Sequence, residues 1–202
     1  MEIGENLGAS FEYAKEALVG KWVKWILLAI IGIIPIVNFI LFGYAIRVLR
    51  GIKPAPELGE YVQLFIDGLM YFIIAFVWMI PVFIVSMIVG FISGSFAGMI
   101  IGLLIMLIVA LLCGLFAYIG IVRFARMEKF GEAFAFGAIK EKIEAIGWVK
   151  YIIALIVVGI VIGVISFILM LIPIIGWLLM LVLMPFFVIF QARYICNLYD
   201  SA

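Results

Sequence analysis

Residues 25–46, 68–122 and 151–192 contain no Asp, Glu, Lys or Arg, so few side chains inside them can do chemistry: Asn38, Tyr44, Ser86, Tyr118, Ser166 and Gln191. All are neutral hydrogen-bonding groups. They can orient a polar headgroup or line a hydrated passage. A proton relay or ion pathway is marked by intramembrane carboxylates or basic groups, and these runs have none. Coupled transport is therefore disfavoured, although opened helices also coordinate ions through backbone carbonyls. Close to the run boundaries stand Arg47, Arg50, Arg123, Arg126 and Arg193. A guanidinium suits phosphate and carboxylate, so these five are the candidate contacts for anionic lipid. A snorkelling belt that anchors spans at the headgroups explains the same positions.

Catalytic sets are not to be found. Histidine is absent, which removes the commonest general base and metal ligand. Cys113 and Cys196 stand far apart with no ligand-like neighbours and are expected as free thiols. No Ser/His/Asp set, phosphate-cradling glycine loop or shared carboxylate pair can be assembled. The sequence therefore predicts no enzyme, no cofactor and no metal. A net charge of +1 gives no bulk attraction to nucleic acid.

Composition defines the solvent. Of 202 residues, 69% are apolar and 12% charged, against roughly 25% charged in a soluble domain. The surplus apolar surface must face lipid. Every charge falls in 1–24, 47–67, 123–150 or 193–202. A crossing needs about 20 apolar residues, so the second and third runs each hold two crossings. Their far-side turns are expected at Ser93–Gly98 and Pro173–Trp177. The acidic start, Met1-Glu-Ile-Gly-Glu5, does not read as a cleavable signal.

The 22-residue first run is either one crossing or a shallow hairpin tipped by Pro35-Ile-Val-Asn38. Repetition favours the hairpin. Trp22-Val-Lys24 returns as Trp148-Val-Lys150, and Ile34-Pro-Ile-Val37 as Ile172-Pro-Ile-Ile175. From lysine to proline is about 16 Å of helix in the first copy and about 34 Å in the last, at ~1.5 Å per residue. All Lys and Arg then lie on one face, which the positive-inside rule makes cytoplasmic.

Each unit reads as an amphipathic surface helix, a membrane hairpin and an arginine-bearing exit, over 9–50, 59–126 and 131–198. The surface helices are expected at 9–20, 59–68 and 131–145. Pro81 and Pro185 interrupt spans, as hinges or as simple curvature. Ser86, Gly90, Gly94, Gly98 and Gly102 recur every fourth residue, and Gly159 and Gly163 repeat the spacing. Such faces let backbones approach, within the chain or against another copy or another membrane protein. Asn38 is expected to cap the helix leaving the Pro35 turn. Asp67 is expected to pair with Arg47 or Arg50, and Tyr71 and Tyr151 to anchor at the interface.

Ile34-Pro-Ile-Val-Asn38, Gly43-Tyr-Ala-Ile-Arg-Val-Leu-Arg50, Pro54 and Leu64-Phe-Ile-Asp-Gly68 together resemble a family of uncharacterised archaeal and bacterial multi-pass membrane proteins, the domain of unknown function four-zero-one-three. The last hairpin, with Ile172-Pro-Ile-Ile-Gly-Trp177 and Gln191-Ala-Arg193, fits the same pattern. The 51–58 linker is shorter and less acidic than the resemblance leads one to expect. The resemblance implies a prokaryotic cell membrane and supplies no activity or catalytic residue.

The expectation is a single all-α integral membrane domain, 1–202, of three repeated hairpins with a short first one and amphipathic interfacial helices on the cytoplasmic side. Both termini are expected in the cytoplasm. The predicted function is a non-enzymatic, lipid-embedded scaffold or interaction subunit, oligomeric or membrane-shaping, with membrane lipids and other membrane proteins as partners. The alternative is a transporter, channel or lipid-translocating protein with a passage between the kinked spans.

Overall fold

The computed structural model describes residues 2–92 and 96–202. Among these, the regular elements are helical: α1 (Ile3–Leu18), α2 (Trp22–Ile33), α3 (Phe39–Leu49), α4 (Tyr61–Ile92), α5 (Phe96–Met127), a 3-10 turn (Phe130–Phe134), α6 (Phe136–Ile146), α7 (Trp148–Met170) and α8 (Ile175–Tyr199). Four of them, α4, α5, α7 and α8, contain segments long and apolar enough to cross a membrane.

The first apolar run is two short helices. α2 has 12 residues and α3 has 11, about 18 Å and 16 Å at ~1.5 Å per residue, against a hydrocarbon core of about 30 Å. Pro35 and the positive φ of Ile36 turn the chain between them. Lys24 Nζ near the start of α2 and Tyr44 Oη in α3 both donate to the Pro56 carbonyl, at 2.8 and 2.7 Å. The α2–α3 pair therefore folds back onto the loop that follows it. Tyr13 Oη of α1 donates to Ile52 O of that loop at 2.9 Å, so the amino-terminal helix meets the same end.

Separate short helices, α1 and α6, form in two of the three places where surface helices are expected. α1 opens on a capping box between Glu2 and Glu5. Its buried face carries Asn6, Ser10, Tyr13, Ala14, Ala17 and Leu18, while Phe11 is half exposed, its ring edge-on to Phe186 of α8. α6 is separate from α7 because Gly147, at φ +92, breaks the helix. The expected surface helix at 59–68 is corrected: Tyr61 to Ile92 is one continuous helix. Nothing in Leu64-Phe-Ile-Asp-Gly68 stops propagation, since Arg50 holds Asp67 at 3.0 Å and Gly68 tucks against the Phe39 carbonyl.

Of the expected turn at 93–98, Ser93, Gly94 and Ser95 lie outside the described residues, and Gly98 already belongs to α5. The last turn occupies 171–174, with Trp177 inside α8. Pro81 and Pro185 sit within helices that continue through them. Tyr151, expected as an interface anchor, is corrected to an internal strut: it is fully buried and donates to Leu115 O at 2.6 Å. Tyr194 acts in the same way, bonding Ala154 O at 3.1 Å. A buried phenol must find such an acceptor.

Side-chain bonds and ring contacts that tie α5 to α7, α8 and the residues after it cluster on one stretch of α5. Tyr151 meets Leu115, Trp148 meets Phe116, Gln191 meets Tyr118 and Asp200 meets Arg126. Away from that stretch α4 packs on α5 and α7 on α8, and large apolar side chains such as Phe91, Phe167 and Trp177 stay exposed.

Candidate functional site: a polar base beside an apolar groove

Ser166 and Gln191 share a groove between α7 and α8 of ≈ 390 Å³, walled by Ile162, Met184, Phe187 and Val188. Gln191 and Val188 also line a smaller cavity of ≈ 150 Å³, bounded by Ala45 and Leu49 of α3, Tyr71 of α4 and Tyr118 of α5. The two spaces thus meet at one turn of α8. At the junction Gln191 Nε2 donates to Tyr118 Oη at 3.3 Å. An alkyl chain fits the chemistry of the groove, and a polar end group fits the amide and phenols beside it. Nothing in the cluster is charged at neutral pH.

The other polar positions lie elsewhere. Tyr44 is fully buried under Pro56. Ser86 Oγ bonds back to Phe83 O of its own helix at 2.8 Å. Asn38 stands at the amino end of α3, yet the expected side-chain cap is corrected: its backbone is already helical and its side chain makes no capping bond. Its carbonyl instead accepts from Leu41 and Phe42. The six polar positions therefore divide: Gln191 shares the groove with Ser166 and the smaller cavity with Tyr118, while Asn38, Tyr44 and Ser86 lie apart. Tyr71, read from its place near a run edge, belongs to the polar base. The residues of that base come from three helices, and no spacing in the chain announces their meeting.

Four boundary arginines are held by carboxylates. Arg47, in the last turn of α3, donates to Glu60 at 2.7 Å and to Gly59 O at 3.2 Å. Arg50 stands 3.0 Å from Asp67 and 3.3 Å from Glu128. Asp67 Oδ2 faces Arg50 Nη2 and Arg50 Nε faces Glu128 Oε1, each within ion-pair reach without a well-directed hydrogen bond. Arg123 pairs with Glu132. Arg126 bonds both Asp200 oxygens, at 2.7 and 2.8 Å, and the Leu49 carbonyl at 2.8 Å. Arg193 differs: it lies over the Tyr13 ring at 4.6 Å, and among the described residues no carboxylate reaches ion-pair distance.

Asn6 and Ser10, both buried, form a polar seam with the end of α8: Asn6 donates to Tyr194 O at 3.0 Å, and Asn197 donates to Asn6 and Ser10 at 3.0 and 3.2 Å. Sequence reasoning passed over this seam, although two polar residues four apart on an otherwise apolar face were its signal. Lys24 sits in the first turn of α2, and burial lowers its amine to about 8 despite nearby Glu57. The Lys21 hydrogen bond lowers the carboxyl of Glu57. Both cysteines are free thiols. Among the described residues no three His, Cys, Asp or Glu side chains gather as a metal would need.

The family described as Protein of unknown function (DUF4013) matches residues 26–174. The chain belongs to that family. The DUF4013 match takes in Tyr71, Tyr118 and Ser166 and ends at the turn before α8, so Gln191 and Arg193 lie beyond it. No curated protein and no solved structure matches the chain.

Proposed function

We propose that this DUF4013 protein is a non-enzymatic, multi-pass protein of the cell membrane, a lipid-embedded scaffold or interaction subunit. The charged end, with both termini, faces the cytoplasm, as the positive-inside rule requires of a face holding every Lys and Arg. The observation that carries the reading is the division of the molecule into an ion-paired end and two outlying hairpins whose apolar flanks the chain leaves uncovered. Lipid covers such flanks, and so does another membrane protein. Gly159 and Gly163 of α7 support the second use: a Cβ on either would meet nothing within 4 Å. They offer a close-approach face that the chain itself leaves open. The short α2–α3 hairpin occupies one leaflet more than the other, so the scaffold also shapes or thins the bilayer.

The test is extraction in native nanodiscs, with native mass spectrometry of the particles. Copies or a stoichiometric membrane-protein partner at the α7 face are expected, lost on Gly159→Leu/Gly163→Leu. Monomers free of partners, in liposomes of unaltered size, would overturn the proposal. A second reading, lipid translocation, draws support from Val188 and Gln191, which line both the α7–α8 groove and the cavity holding Tyr71 and Tyr118. Accelerated lipid flip-flop in proteoliposomes, abolished by Gln191→Leu, would favour it over the scaffold.

A further inference from the structure

A buried guanidinium without a counter-charge is expensive, because desolvation is not repaid by an ion pair. Arg193 is in that position. It is 3% exposed, its Nη1 has only Cys196 Sγ at 4.0 Å, and it lines a cavity of ≈ 200 Å³ between α1, Lys53-Pro54 and the end of α8. Lys53, Glu12, Glu16 and Asn197 line the same cavity. Glu12 is engaged by Lys15 at 3.3 Å. Among the described residues, Glu16 and Lys53 make no side-chain hydrogen bond or ion pair. Burial pushes the Tyr13 phenol up to about 12 although Arg193 pulls the other way, so that wall stays uncharged.

From this arrangement we propose that the cavity binds a small phosphate–ammonium zwitterion of the ethanolamine-phosphate kind. Two cations and two carboxylates share one space. A lone phosphate would face Glu12 and Glu16, and a lone amine would face Arg193 and Lys53. A ligand carrying both charges meets each half with its opposite. Its phosphate lies against Arg193 and Lys53, and its ammonium donates to the glutamates. A trimethylated ammonium has no N–H to donate, so choline is the poorer ligand. The ligand comes either as a lipid headgroup or as the free zwitterion. Only the lipid source rests on the membrane orientation proposed above; the binding measurement itself does not depend on scaffolding.

The experiment uses the full chain, delipidated in detergent. Native mass spectrometry measures phosphatidylethanolamine, phosphatidylcholine and phosphatidylglycerol with identical acyl chains, and calorimetry measures free phosphoethanolamine and inorganic phosphate. The ethanolamine ligand is expected to bind about tenfold tighter than its choline and glycerol counterparts, the worth of one charge-assisted hydrogen bond. Because Arg193 is buried and its loss could unfold the chain, the variants are Lys53→Gln and Glu16→Gln, both at exposed positions and both expected to leave Tm unchanged. Each should weaken ethanolamine binding several-fold, and Glu16→Gln should also raise affinity for phosphatidylglycerol. Competition by free phosphoethanolamine assigns the site to the soluble zwitterion; binding of the lipid alone assigns it to the headgroup. Equal binding of the three lipids without binding of phosphoethanolamine, phosphate binding as tightly as phosphoethanolamine, or a preference unmoved by either variant overturns the proposal.

Discussion

Gly43 of α3 lies so close to Leu64 of α4 that a Cβ built on it would stand 1.8 Å from the Leu64 carbonyl oxygen. One turn along, Gly68 repeats the contact against Phe39 O at 1.7 Å. Neither oxygen belongs to a flexible side chain, so any added methyl must push two helix backbones apart. Gly43→Ala gains up to about 1 kcal/mol of helix propensity and loses about 1–3 kcal/mol or more to overpacking. Overpacking wins. Thermal unfolding in detergent should show a clear fall in Tm for Gly43→Ala and Gly68→Ala. Gly159→Ala, with open space around it, should match or exceed the parent. Equal melting of all three would remove the close approach from the account.

Arg126 joins three remote parts of the chain and should not be mistaken for a simple ion pair. Leu49 ends α3, so its carbonyl is one of the acceptors a helix leaves unsatisfied, and Arg126 Nε fills it at 2.8 Å. Asp200 is the more exposed partner, its side chain 45% accessible, and pairs of that kind contribute about 0.2–1 kcal/mol. Asp200→Asn should therefore cost under ~1 kcal/mol and lose its effect in high salt. Arg126→Leu should cost about 1–3 kcal/mol in any salt, because it strands the Leu49 carbonyl. Unfolding at low and high ionic strength separates the two, and equal salt sensitivity would refute the capping role.

The fold was legible where the physics is one-dimensional. Charge-free runs mark the four long helices, and Pro35 marks the turn between α2 and α3. Asp67 paired with Arg50 as its boundary position suggested. What escaped depends on meetings in three dimensions. Tyr71, Tyr118 and Gln191 lie on three helices, and only packing brings them to one cavity. The repeat also misled at 59–68, where matching composition implied a separate surface helix. Gly147 at φ +92 supplies the break before α7, and α4 has no counterpart to it. The arginines at the boundary were visible as a set, but not that Arg193 alone would lack a carboxylate.

The α2–α3 turn makes a topological prediction. Val37 sits at its tip, while Ile174, 77% exposed, sits in the turn between α7 and α8. In a Cys113→Ala/Cys196→Ala background, Ile174→Cys should react with an impermeant thiol reagent added to intact cells, and Val37→Cys should not. Labelling of Val37→Cys from outside would mean that the first run crosses the membrane.

Lys24 gives the pH dependence its sign. The amine is 7% exposed and bonds Pro56 O at 2.8 Å; burial lowers it from 10.5 to about 8. Between those values the unfolded chain holds a proton that the folded chain has released, so stability rises with pH across the window. The slope approaches ~1.4 kcal/mol per pH unit at most. Below about pH 8 both states carry the charge and this contribution is flat. Lys24→Met keeps the aliphatic stem beside Tyr44 and removes the titrating group. Its Tm in detergent should lose the rise seen in the parent between about pH 8 and 10. A parent that becomes less stable over that range, or a variant that retains the slope, would place the titration on another group.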